Sequence, residues 1–166
     1  MAPNHFRKDP EIDLLIREQF LPTYEAARAG KLNGDWSDNA VGSLAQVIVL
    51  DQFPRNMFRD TPQAFATDEQ AMAIATAAID RGFDDELPQE QLAFLYMPFM
   101  HAESLAGQDQ AVMLFEKLGI EGNLIFAMAH RDVIMTFGRF PHRNEVLGRR
   151  STPEEQAYLA EPGAGF

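Results

Sequence analysis

Ser37-Asp38-Asn39-Ala40-Val41-Gly42-Ser43-Leu44-Ala45-Gln46-Val47-Ile48-Val49-Leu50-Asp51-Gln52-Phe53-Pro54 is the stretch from which the fold can be read. Ser37 or Asp38 can cap a helix that runs to about Asp51 or Phe53, and Pro54 is expected to end it. Ala40, Val41, Leu44, Ala45 and Val47 through Leu50 cover almost every direction of that helix. A helix apolar all round is a central one. A second helix of this kind is expected from Leu124 to Phe137, with Asn123 as cap and Gly138 as stop.

Helix punctuation surrounds these two. Asp9-Pro10 opens a first helix, Pro22 is expected to kink or break it, and Gly30 stops it. Thr61-Pro62 reads as a further start. Thr67-Asp68-Glu69-Gln70 reads as a capping box opening an Ala-rich helix that stops at Gly82. Pro88 starts another helix, which Pro98 bends or ends. One more runs from about Gln108 to Leu118 before Gly119. Thr152-Pro153-Glu154-Glu155 is a capping box with Pro at the first helical position. No segment alternates apolar and polar residues as a half-buried strand would. The expected fold is all-α, about seven helices, two of them central and buried, in a single domain spanning 1–166.

Composition narrows the function classes. Lys and Arg number 14 against 25 Asp and Glu, a net charge of -11, which argues against nucleic-acid binding. The absence of cysteine removes disulfides, thiol catalysis and Cys-ligated metals. No signal-peptide or membrane-length apolar stretch is visible, so a cytoplasmic protein without membrane contact is expected. Yet Arg131, Arg139, Arg143, Arg149 and Arg150 crowd a segment holding only Asp132 and Glu145. A local positive region on an acidic body suits a small anion.

The two apolar helices end alike. Gln52-Phe53-Pro54-Arg55-Asn56, Arg59 and Thr61-Pro62 echo Arg139-Phe140-Pro141-His142-Arg143-Asn144, Arg149-Arg150 and Thr152-Pro153. The echo suggests a duplicated unit around 37–66 and 123–157.

LDQFPRN (50–56), AFATD (64–68), Pro98-Phe99-Met100-His101, FGRFPHRN (137–144) and LGRRSTPEE (147–155) resemble the bacterial family known as domain of unknown function 924. The resemblance runs from about Phe6 to the terminal Gly-Ala-Gly-Phe. It implies a TPR-like all-α superhelix and brings no established activity. Members usually carry a Phe-Trp-Phe-like motif before the Lys-Asp-Pro segment, whereas this chain has little before His5. They also tend to show Glu and Ser beside the His of the Pro-Phe-x-His piece. Met100 and Ala102 stand there, which weakens an acid–base role built on those neighbours.

Two readings of the echoed motif stand side by side. In the first, Arg55, Arg139 and Arg143 hold a small carboxylate or phosphate, because arginine presents a planar fork to such groups. Asp51, Asn56 and Asn144 orient the arginines, and His130 or His142 supplies hydrolase-type acid–base chemistry. In the second, Arg and Asn only terminate helices, and the chain is a non-enzymatic module for a peptide or partner protein. The residues do not decide whether the chain is an enzyme. No cofactor motif is present. A metal site from His101, Glu103, His130 and His142 is conceivable, but no metal-binding spacing marks it.

Overall fold

The computed structural model describes residues 8–165; residues 1–7, with Phe6, and Phe166 lie outside them. No strand occurs among the described residues. The helices are α1 (Pro10–Arg28), α2 (Asn33–Trp36), α3 (Ala40–Val47), α4 (Phe53–Met57), α5 (Asp68–Asp80), α6 (Gln89–Met100), α7 (Leu105–Leu118), α8 (Glu121–Phe137) and α9 (Pro153–Leu159).

Among the described residues, side-chain caps open four of the nine helices, α1, α3, α7 and α9. Asp9 Oδ1 accepts from the N–H groups of Glu11 and Ile12, with Pro10 at the first turn. Thr152 and Glu155 form the full capping box of α9. Three expectations need correction. The cap of α3 is Asn39, whose side chain accepts from the Gly42 N–H, and not Ser37 or Asp38. Asn123 lies inside α8, which begins at Glu121. Thr67 makes no capping hydrogen bond, because its hydroxyl is spent on the Leu50 carbonyl at 2.5 Å.

Pro22 and Pro98 both sit inside continuous helices. Pro54 does not end its helix either. Proline has no N–H and clashes with the carbonyl four residues back, here that of Leu50. The chain widens into a π-helical segment, Ile48–Gln52, and continues as α4. The Leu50 carbonyl takes the Thr67 hydroxyl, and the Asp51 carbonyl accepts from the Arg55 guanidinium at 2.5 Å.

Gly42 is where α2 and α3 come closest. A Cβ there would lie 2.1 Å from the Trp36 carbonyl oxygen, a backbone atom that cannot swing aside. Gly42→Ala is therefore expected to cost about 1–3 kcal/mol as overpacking. Urea unfolding midpoints of the two proteins measure this, and an unchanged midpoint rejects the close approach.

The main core lies between α3, α5, α6 and α7, where Leu95, Tyr96 and Phe99 of α6 meet Phe115 of α7. Each such ring or branched chain contributes about 1.5–3 kcal/mol by leaving water. A second core joins α1, α4 and the π segment through Tyr24, Leu50 and Met57. The most deeply buried helical run is therefore the second half of α6.

The expected second central helix is peripheral. Only Ala127, His130, Val133 and Ile134 of α8 are buried, while Ile125, Phe126, Met128 and Met135 are exposed. α8 packs chiefly on α7, so its apolar girdle outruns the neighbours available to cover it. The two echoed segments differ in local structure. The first motif continues a buried helix, whereas the second follows the Gly138 stop and places Pro141–Arg143 in a 3-10 turn. The first Thr-Pro likewise opens only the short 3-10 turn Pro62–Phe65.

Candidate functional site

A cavity of about 320 Å³ opens between the start of α5, the α6–α7 corner and the 140–147 loop. Its polar wall comprises Asp68, Glu69, His101, Glu103, Ser104 and Arg143; Phe65, Met72 and Leu147 are among its apolar residues.

Asp51 reaches this wall from behind. It is fully buried, and its Oδ1 lies 2.7 Å from His101 Nδ1. Gln52 Nε2 donates to its Oδ2 at 2.5 Å, and Arg55 NH1 stands 3.4 Å from Oδ1. Burial opposes the charge on Asp51, but His101 and Arg55 outweigh it and hold the carboxyl well below the usual range. An ionised Asp51 can only accept, so the proton between the pair sits on His101 Nδ1. In the neutral ring the other nitrogen, Nε2, is then the base, and it takes no hydrogen bond from the described residues.

Arg55 and Arg143 converge on one carboxylate. Arg55 donates twice to Asp68, at 2.8 and 3.0 Å, and Arg143 NH1 donates once at 3.2 Å. Burial works against the Arg55 charge, yet Asp51 and Asp68 more than restore it. Arg143 is stacked between Phe65 and Phe140, its guanidinium carbon 4.4 and 4.7 Å from the two ring centres. Burial, and then Arg55 nearby, push its pKa down to about 10 against the pull of Asp68. It remains cationic at neutral pH.

Asn56, Arg139 and Asn144, expected as ligand-binding residues, are engaged elsewhere. Asn56 donates to Asp13 on α1, beside Arg59, which binds the same carboxylate at 2.6 and 2.8 Å. Arg139 forks onto Glu155 at 2.7 and 2.9 Å, and Asn144 also donates to Glu155. Arg149 forks onto Glu103 at 2.7 and 2.9 Å, and Glu103 accepts the Phe140 N–H at 2.7 Å. These bonds fasten the 138–152 loop around Phe140, and within this motif Arg143 is the residue that lines the cavity.

Four of the five arginines of that segment meet carboxylates, so most of the surplus inferred from local sequence is answered. Asp13, Asp68, Asp109, Glu103 and Glu155 answer Arg59, Arg55 and Arg143, Arg131, Arg149 and Arg139 in turn.

His130 and His142, expected as acid–base residues, flank Phe140 and do not line the cavity. His130 Nδ1 faces the Phe126 carbonyl at 2.8 Å. Burial lowers the pKa of each ring to about 4, with Arg143 adding to the effect at His142. His101, offered by the sequence only in the Pro-Phe-x-His piece and as a conceivable metal ligand, is the histidine that lines the cavity. Among the described residues no group of three or more His, Asp or Glu is placed to hold a metal ion. No helix of the described chain is long and apolar enough to cross a membrane.

A family model described as bacterial protein of unknown function (DUF924) matches residues 1–163. The chain belongs to the DUF924 family. Among solved structures, a protein of unknown function from Agrobacterium tumefaciens is 42% identical, with a TM-score of 0.91. The match covers 96% of this chain and 90% of that one. No curated protein matches. The DUF924 relationship therefore accounts for the shared helical fold and leaves the cavity chemistry to be argued from its own residues.

Proposed function

We propose that the cavity binds a small metabolite and that His101, oriented by Asp51, moves a proton on it. The observation that carries this reading is the 2.7 Å contact between His101 Nδ1 and a fully buried carboxylate, on the wall of a cavity. A carboxylate behind a histidine fixes its tautomer and stabilises the ring once protonated. Ester hydrolysis by activated water fits this pair. His101 Nε2 takes a proton from water, the water oxygen bonds to the acyl carbon, and the alcohol leaves with that proton. The proposed acid–base residue thus shifts from His130 or His142 to His101.

Turnover of p-nitrophenyl acetate and p-nitrophenyl butyrate tests this. General-base catalysis is worth about 10²–10⁴-fold, so His101→Ala and Asp51→Asn should lose activity by that order. Circular dichroism of each variant verifies its fold. Equal turnover by wild type and folded His101→Ala rejects the reading.

The exposed row Met113, Ile125, Phe126, Met128 and Met135 on α7 and α8 favours a second reading. In it the chain is a non-enzymatic, TPR-like module that holds a partner protein on that face. No ester is then turned over, and Ile125→Glu with Met128→Glu abolishes the association.

A further inference from the structure

We propose that Arg143 anchors a small organic acid in the cavity, the ligand's carboxylate or phosphate displacing Asp68 from its NH1 edge. This rests on the cavity being a ligand site and names the class of ligand it takes.

The Arg143 guanidinium has unmatched donors. Guanidinium carries five N–H donors. Arg143 is buried, yet it makes two hydrogen bonds, to Asp68 and to the His101 carbonyl at 3.1 Å. Its Nε is buried with no partner. Buried charged groups are ordinarily both paired and fully hydrogen-bonded. The neighbouring arginines obey that rule better. Arg149 makes four bonds and Arg55 makes three. Arg143 is thus the least satisfied of the three, although it lies on the cavity wall.

Asp68 is suited to yield. It accepts three bonds from two arginines, so releasing Arg143 leaves it still held twice by Arg55. Two other nearby carboxylates are committed. Asp51 serves His101 and Gln52, and Glu103 serves Arg149 and the Phe140 N–H. Glu69, the remaining carboxylate of the wall, stands exposed on the first turn of α5 and makes no hydrogen bond to Arg143.

The remaining wall fixes the other half of the ligand. Pro62, Phe65, Met72, Pro98 and Leu147 present apolar surface within the same cavity. An acid with an apolar body fills it better than an inorganic ion. Phe65 and Phe140 hold the guanidinium plane from both sides, so its edge is pre-aimed.

Benzoate, butyrate, phenyl phosphate and inorganic phosphate, each against chloride at matched ionic strength, are the probes. Thermal melting and the arginine Nε–H region of a ¹⁵N correlation spectrum are the readouts. Benzoate or phenyl phosphate should raise the melting temperature and shift the Arg143 Nε–H resonance, with inorganic phosphate weaker. The stronger of the two identifies carboxylate or phosphate as the head group. Arg143→Lys loses the planar edge and should weaken binding at least tenfold. Asp68→Asn removes the competing carboxylate and should tighten binding at least tenfold. An Arg143 resonance unmoved by every probe overturns the proposal, as does weaker binding by Asp68→Asn. The wild-type spectrum decides even where a variant fails to fold. Failure here leaves the His101 turnover assay untouched, so the two readings fall separately.

Discussion

Between pH 6.5 and pH 4 the protein is expected to lose about 6 kcal/mol of stability through two histidines alone, about 3 kcal/mol each. His130 and His142 both titrate at about 4 in the folded chain, against 6.5 for an exposed ring, chiefly because burial penalises the charged form. In that window the unfolded chain binds two more protons than the folded one. Stability therefore rises with pH across it, is complete above 6.5, and is lost as pH falls toward 4. Domains of this size have about 5–15 kcal/mol in total, so acid unfolding should begin before most carboxylates titrate. Glu155, held down to about 2 mainly by its bonds from Arg139, acts in the same direction at lower pH. Its contribution is present above the ordinary carboxyl range and disappears as pH falls to about 2. Urea unfolding at pH 7, 6, 5 and 4.5 measures the slope. The double substitution His130→Gln, His142→Gln should flatten it, whatever it does to stability at pH 7. A wild-type stability that stays constant from pH 6.5 to 4.5 contradicts the burial argument.

Phe140→Ala should cost about 3–5 kcal/mol, the usual range for truncating a buried aromatic ring. For a chain of this length that lowers the melting temperature by about 6–20 °C. Phe140 is fully buried and is the hub of the 138–152 loop. Its ring lies 5.6 Å from the His130 ring, 5.5 Å from that of His142, and against the Arg143 guanidinium. Truncation keeps the backbone bonds to Glu103 and Arg149 but removes one of the two rings that hold Arg143 in plane. The loss should thus include the anion response as well as stability. Phe140→Leu, which retains much of the volume, should cost less in melting temperature. Thermal scans of the three proteins decide. A loss under 1 kcal/mol for Phe140→Ala removes the loop from the core.

The arginines and their partners were only half legible in the sequence. Asp51 with Arg55 was readable because the two are one helical turn apart. The partners that decide the rest lie far along the chain. Asp68 is 13 residues from Arg55 and 75 from Arg143; Asp13 is 46 from Arg59; Glu103 is 46 from Arg149. A count of charges within one segment sees five arginines and two acids, and infers a surplus that distant carboxylates largely answer. His101 and Asp51 are 50 residues apart, so neither announces the other.

What the sequence determined by itself is the all-α class and most helix ends, because capping, proline and left-handed glycine act within a few residues of where they stand. The tertiary structure alone decided that Pro54 is absorbed by a π turn, since that requires Thr67 to take the displaced Leu50 carbonyl. It alone made α8 peripheral, because an apolar helix is buried only as far as neighbours exist to cover it. And it alone set His101 beside a buried carboxylate on the cavity wall and left His130 and His142 off that wall, because such neighbours come from distant parts of the chain.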